Sequence, residues 1–139
     1  MDHISIILVH YNSEEVTNEC LKSLINLKAD GFKYAVIIVD NGSRVPFTLP
    51  PAYAKQPFEL VRSESNLGYT GGNNLAITHA FDTYHSDYVL LLNNDTTVDR
   101  EFAYHLWKSA QSQPRFGLIA SKIYFAPGRE YHVQLSCAR

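Results

Sequence analysis

A chain of 139 residues, 45% hydrophobic and 19% charged, is enough for one domain around one core and is not the composition of a disordered or low-complexity segment. The formal net charge of -2, with lysine and arginine scattered, gives no basic excess of the kind that holds a nucleic-acid backbone, so no nucleic-acid partner is expected. No stretch is long enough to span a bilayer, and Met1-Asp2-His3 lacks the charged opening and long apolar run of a secretory leader. Cys20 and Cys137 lie far apart, and six scattered histidines give no zinc spacing. A reduced cytoplasmic chain is expected, with the inner membrane face as a peripheral address.

In chain order, Ile4 to His10 is β-branched and apolar and reads as a strand. Tyr11-Asn12-Ser13 breaks it, and Glu14-Glu15 supplies an acidic first turn for a helix. Val16, Cys20, Leu24 and Leu27 recur at helical spacing, with Leu21 and Ile25 widening the stripe. Tyr34 to Val39 is a second strand, closed by Asp40-Asn41-Gly42-Ser43, after which four prolines indicate a surface connection. Phe58 to Arg62 is a short third strand. Ser63 to Asn74 reads as a polar, glycine-rich loop, from which Leu75, Ala76, His79 and Ala80 continue as a helix. Tyr88 to Leu92, the most apolar run, reads as a strand buried on both faces in the middle of a parallel sheet. A helix from about Arg100 to Gln113, a final strand from Phe116 to Phe125 and a turn at Pro127-Gly128 complete the chain. Strands alternating with helices predict an α/β fold: a three-layer α/β/α sandwich on a mainly parallel, Rossmann-like sheet, in one domain over residues 1–139.

In such a sheet, ligands bind outside the carboxyl ends of the strands. That edge would gather His10-Tyr11-Asn12, Asp40-Asn41 and Asn93-Asn94-Asp95 around one crevice. The amides and carboxylate of the last cluster offer oxygen ligands to a hard divalent cation, which could in turn hold a diphosphate. Asn and Asp also close strands simply by forming side-chain turns. Asp40 suits hydrogen bonds from a nucleobase imide or a ribose hydroxyl, and equally an Asx turn with Asn41-Gly42. Tyr11 can stack on a base or cover a core edge. Asn12 can bond a ligand or compete with Ser13 to cap the helix. Glu14 fits a solvated first turn better than a ligand contact, and His10 fits packing better than catalysis. The segment Asn66 to Asn74 lacks both the dinucleotide fingerprint and the Gly-Lys-Ser/Thr of a phosphate loop, which disfavours a dehydrogenase or an ATPase.

Four blocks in order resemble the family 2 glycosyltransferases, inverting enzymes with the GT-A fold, and within them the rhamnosyltransferase-like bacterial members. They are Ile6-Ile7-Leu8-Val9-His10-Tyr11-Asn12, Val39-Asp40-Asn41-Gly42-Ser43, Asn66-Leu67-Gly68-Tyr69 with Gly71-Gly72-Asn73-Asn74, and Leu91-Leu92-Asn93-Asn94-Asp95-Thr96. Gly117 to Tyr124 is similar to the strand that follows in that family. The resemblance implies a nucleotide-diphosphosugar donor, UDP- or dTDP-linked, and a polysaccharide or related glycan acceptor. His10, Tyr11, Asn12, Glu14, Asp40, Asn66, Gly72, Asn73 and Asn94 would line the donor pocket. Asp95, with Asn93 opening the family's Asp-X-Asp motif in place of an acid, would hold Mg²⁺ or Mn²⁺.

The family's acceptor half and its acidic general base follow the segment resembling Phe116 to Phe125. Glu130 is the only acid after Glu101, and nothing around it resembles that site. The expectation is therefore a donor-binding half lacking the acceptor half, with no catalytic base assigned. A non-catalytic nucleotide-sugar binding or assembly module, completed by a partner chain or a second copy, is the alternative. A nucleotidyltransferase would want a basic glycine-rich loop after the first strand, where Tyr11 to Glu15 is acidic.

Overall fold

The computed structural model describes residues 1–113, 115, 117–121, 123–126 and 129–131. Its elements are β1 (Asp2–His10), α1 (Glu14–Leu24), β2 (Phe32–Asn41), a single 3-10 turn at Pro51–Tyr53, β3 (Phe58–Ser63), α2 (Gly68–Tyr84), β4 (Tyr88–Leu91), α3 (Phe102–Gln111), β5 (Ile123–Ala126) and β6 (Arg129–Tyr131). The first four strands form one parallel sheet in the order β3-β2-β1-β4, and β5 pairs antiparallel with β6 in a separate two-stranded sheet.

Side-chain alternation along the strands splits the core into two layers. Ile4, Ile6 and Leu8 of β1 and Phe32, Val36 and Ile38 of β2 face Cys20, Leu21 and Leu24 of α1 and Ala103 of α3. The intervening residues Ile7, Ile37 and Val39 face Ala76 and Ala80 of α2. Each fully buried aliphatic side chain contributes roughly 1.5–3 kcal/mol. The small alanines let α2 lie close to the sheet, whereas α3 is anchored by Trp107, whose Nε1 donates to Asp2 Oδ2 at 2.8 Å. A Cβ at Gly31, where φ is +103°, would lie 2.6 Å from the Trp107 ring. The expected three-layer α/β/α sandwich is thus the observed one.

Three local expectations are corrected. Tyr88 to Leu92 was expected mid-sheet, but β4 pairs only with β1 among the described residues, and Leu91 is 49% exposed. Its aliphatic character comes from Leu90 and Leu92 packing on the α1/α3 layer and Val89 on the α2 layer, and neither contact requires a second strand neighbour. Most of the glycine-rich loop is the first turns of α2: glycine is a poor helix former, but a Cβ at Gly72 would lie 2.9 Å from Val9 Cγ1, so packing against β1 selects it. The last strand is not a long run from Phe116, since residues 117–121 are outside any strand and pairing starts at Ile123. The expected turn at Pro127-Gly128, and Cys137, lie outside the described residues.

β2 and β3 lie on one side of β1 and β4 on the other. The chain order therefore reverses between β1 and β4, which places the crevice for a ligand at the carboxyl ends of those two strands.

Candidate functional site

Hydrogen bonds tie the polar strand ends together in pairs. Asn12, at φ +50° in the left-handed region that Asn tolerates, donates its backbone N–H to Ser43 Oγ at 3.0 Å and accepts from Arg44 N at 2.8 Å. It therefore bolts the end of β1 to the loop after β2 and does not cap α1. Asn41 Nδ2 donates to Asn66 Oδ1 at 3.1 Å and to Gly68 O at 3.0 Å, while its Oδ1 accepts from Leu67 N, which staples the end of β2 to the start of α2. Gly42 has φ +73°, and a Cβ there would lie 2.4 Å from the Ser65 carbonyl carbon, so this turn admits only glycine.

The end of β4 closes the ring. Asn94 Nδ2 donates to Ser13 Oγ at 2.8 Å and to Thr17 Oγ1 at 2.9 Å on α1. Tyr69, in the first turn of α2, donates its hydroxyl to Asn93 Oδ1 at 3.1 Å. Between these elements opens a polar hollow of about 470 Å³ lined by Val9, Tyr69, Asn93, Asn94 and Asp95. At the first turn of α2 the Gly68 N–H is taken by Asn66 Oδ1 at 2.8 Å and the Leu67 N–H by Asn41 Oδ1; the later N–H groups of a helix's first turn are of the kind that favour an anion.

Several expected donor-pocket residues have other roles in this conformation. Asp40 is 1% exposed and both carboxylate oxygens are used: Oδ1 accepts from Ser43 N at 3.0 Å, and Oδ2 accepts from Phe47 N at 2.9 Å and from the Arg62 guanidinium. Burial alone would raise its pKa, but the bonds from Ser43 and Phe47 and the Arg62 charge outweigh that and hold it below the usual carboxylate value. The carboxylate thus bonds main-chain N–H groups three and seven residues on, while Gly42 N bonds the Asp40 main-chain oxygen at 3.0 Å, so the side chain braces the loop without forming the Asx turn with Asn41-Gly42. His10 is 1% exposed, with Nδ1 2.8 Å from Thr17 Oγ1 and its ring 4.5 Å from that of Phe47, so it packs behind the site and offers a ligand no open face. Asn73 is 5% exposed and donates to Tyr69 O within α2, and Gly72 serves helix-to-strand packing. Glu14 is a solvent-exposed residue of the first α1 turn. Tyr11, 47% exposed, keeps a ring face for stacking, and Asn66 is exposed at the mouth of α2.

The resemblance placed Tyr69 within the segment expected to line the pocket, Asn66 to Asn73, but gave it no role of its own, and sequence reasoning missed Arg62 and Thr17. An exposed tyrosine in a glycine-rich segment carried no periodic signal. Only the Asp40↔Arg62 register between β2 and β3 brings the guanidinium to its carboxylate.

Asn93 and Asp95 offer oxygens that suit a hard cation. Asp95 is exposed at the hollow, its carboxylate without a hydrogen-bond or ion-pair partner among the described residues, and Asn93 Oδ1 has a second lone pair beyond the one Tyr69 uses. No group of three or more His, Cys, Asp or Glu suited to a metal occurs among the described residues. The pair thus suits Mg²⁺ or Mn²⁺ held by one or two protein oxygens with phosphate and water completing the shell. Beneath it, Cys20 Sγ lies 3.8 Å from Asn93 O, and burial pushes the thiol up to about 11, against hydrogen bonding with Thr96, so it stays protonated.

The histidines give the fold a defined acid response. Burial pushes His10 below the ordinary imidazole value against the pull of Asp40 and Glu14, and burial does the same to His3 against Asp87, with Lys33 adding to the depression. A depressed folded-state pKa means the unfolded chain takes up the proton first, so stability is complete above about 6.5 and is lost as pH falls from there through the folded values. Melting temperature recorded from pH 7.5 to 5.5 is expected to fall steadily below 6.5. A profile that is flat or rises on acidification contradicts the burial of both imidazoles.

Known proteins resemble this chain in sequence, and solved structures resemble it in fold. The chain is 32% identical over 123 residues to the low-salt glycan biosynthesis hexosyltransferase Agl10 of Haloferax volcanii, covering 88% of this chain and 37% of that protein. It is 26% identical over 121 residues to the poly-beta-1,6-N-acetyl-D-glucosamine synthase of Staphylococcus aureus strain COL, covering 86% of this chain and 28% of that one. The chain therefore spans about a third of the length of the curated relatives it matches. The crystal structure of S. aureus TarS 1–349 in complex with UDP-GlcNAc shares the fold, with TM-score 0.57 and 24% identity over 82% of this chain and 31% of that one. The description "Glycosyl transferase family 2" matches residues 5–135. The chain belongs to the family 2 glycosyltransferases.

Proposed function

We propose that this chain is the donor-binding half of a glycosyltransferase that moves a hexose or deoxyhexose from a UDP- or dTDP-sugar to a polysaccharide or related acceptor, assisted by Mg²⁺ or Mn²⁺. The observation that carries the reading is the hollow where β1, α2 and β4 meet: an exposed carboxylate and amide on one side and Tyr69 of the first turn of α2 on the other. Asp95 and Asn93 hold the cation, whose chemistry when bound is Lewis-acid stabilisation of the departing diphosphate. Tyr69 walls the hollow and orients Asn93, and Tyr11 offers its exposed ring to the base. Asp40 acts by shaping the loop that meets the nucleoside. The relatives named for a hexosyltransferase and an N-acetylglucosamine polymer synthase support a glycan acceptor, and the rhamnosyltransferase-like motif pattern supports testing deoxyhexose donors. The UDP-GlcNAc held by TarS makes that compound the first to try. Work at the cytoplasmic side of a membrane, without a catalytic base from this segment, completes the proposal.

Calorimetric titration with UDP-GlcNAc, UDP-glucose and dTDP-rhamnose, each with and without Mn²⁺, tests it. At least one nucleotide sugar is expected to bind more tightly with the cation. Failure of all three, with UDP and dTDP also inert, overturns the reading.

A further inference from the structure

α1 carries a row of small polar side chains at helical spacing, Thr17, Cys20 and Ser23, along which the segment after β4 is laid. Ser23 Oγ accepts from Val98 N at 3.2 Å, Cys20 Sγ meets Asn93 O, and Thr17 Oγ1 accepts from Asn94 Nδ2 at 2.9 Å. Thr17 is fully buried, as Cys20 is, whereas Ser23 is half-buried; of the two buried side chains only Thr17 carries a hydroxyl. A valine would fill that place without a hydroxyl to satisfy, and burying a hydroxyl is costly unless it is hydrogen-bonded. Here it is satisfied twice. The oxygen accepts from Asn94 Nδ2, and the same hydroxyl shares a second hydrogen bond with His10 Nδ1 at 2.8 Å. Three polar side chains from β1, α1 and the β4 loop form one buried chain, each fixing the next.

The consequence lies at the hollow. With its amide turned into α1, Asn94 is held between the two exposed residues, Asn93 and Asp95, that carry oxygens toward the hollow. We propose that Thr17 is a positioning residue for the cation end of the donor site, holding Asn94 so that Asn93 and Asp95 are aimed before any ligand arrives. This rests on the donor-site reading given above. Preorganisation of this kind lowers the cost of binding without a contact from Thr17 to the ligand. Asn94, expected from the motif to touch the donor, acts through its grip on α1.

The test compares Thr17→Val and Thr17→Ser with the wild type by calorimetric titration of UDP in the presence and absence of Mn²⁺. UDP alone is expected to bind both variants as it binds the wild type. The gain in affinity that Mn²⁺ confers is expected to fall about tenfold in Thr17→Val, the size of one hydrogen bond to the site, and to return in Thr17→Ser. A loss that is equal with and without Mn²⁺ marks general structural support and overturns the positioning role, as does a Thr17→Val protein with the full Mn²⁺ gain. Should Thr17→Val not fold, Asn94→Ala cuts that bond from the half-buried side, together with the one to Ser13 Oγ, and must lose at least the same gain, while Ser13→Ala alone must keep part of it. A wild type whose binding of UDP and whose binding of dTDP both ignore Mn²⁺ overturns the cation part of the donor-site reading, and the positioning role with it.

Discussion

Asp95→Ala is expected to abolish the stabilisation that UDP with Mn²⁺ gives the wild-type chain while leaving the ligand-free melting temperature where it was. A ligand present at a hundred times its dissociation constant stabilises the folded state by about 2.7 kcal/mol, which for a domain of this size is a rise of about 8 °C. The Asp95 side chain is exposed, and among the described residues it supports neither a hydrogen bond nor an ion pair, so its removal takes nothing from the fold. It does remove the one carboxylate lining the hollow. With Asn93 already neutral where the family motif begins with an acid, no second charge remains to hold the cation, and the coupling between metal and nucleotide goes with it. Thermal scans of both proteins with UDP, with Mn²⁺ and with the two together check this. Equal shifts in wild type and variant count against the metal role of Asp95.

The layers of the fold were legible because each depended on a local signal. Continuous apolar runs mark β1 and β2 as strands buried on both faces, and Val16, Cys20, Leu24 and Leu27 mark one stripe of α1; the structure buries both strand faces and that stripe apart from Val16, which is 42% exposed at the start of the helix. The placement of β4 was less legible because its run of aliphatic residues reports contact with α2 and α3 above and below, while position in the sheet is decided by which neighbour supplies hydrogen bonds. The α2 start was misread for a related reason. Gly71 and Gly72 oppose helix locally, but the contact with Val9 rewards the absence of a side chain, and that contact joins segments far apart in sequence. At the site, the motif residues did fall at one edge of the sheet. Their division of labour was not legible, since a buried Asp beside a turn and an exposed Asp beside a turn have the same sequence signature. Asp40 is committed to Ser43, Phe47 and Arg62, whereas Asp95 keeps its oxygens for the hollow.

That division predicts the opposite result for the other carboxylate. Asp40→Ala is expected to lower the ligand-free melting temperature by about 10 °C or more, before any nucleotide is added. The substitution strips the acceptor from two main-chain N–H groups, those of Ser43 and Phe47, at about 1–3 kcal/mol each in a buried setting. The Arg62 side chain, 37% exposed, can turn to water and adds less. The sum, about 3–5 kcal/mol, is the size expected on breaking a buried, hydrogen-bonded charge from one side, and at roughly 3 °C per kcal/mol it gives the stated loss. Asp40→Asn keeps one acceptor oxygen and should lose about half as much. Since the loop from Ser43 to Phe47 also bonds Asn12 and carries the ring that stacks on His10, its loosening reaches the β1 end of the crevice. Nucleotide affinity should therefore fall in Asp40→Ala in step with stability, and recover when the protein is restabilised by cold or by an osmolyte, as a direct contact to the base would not. A variant that melts with the wild type but no longer binds nucleotide would instead return Asp40 to the ligand.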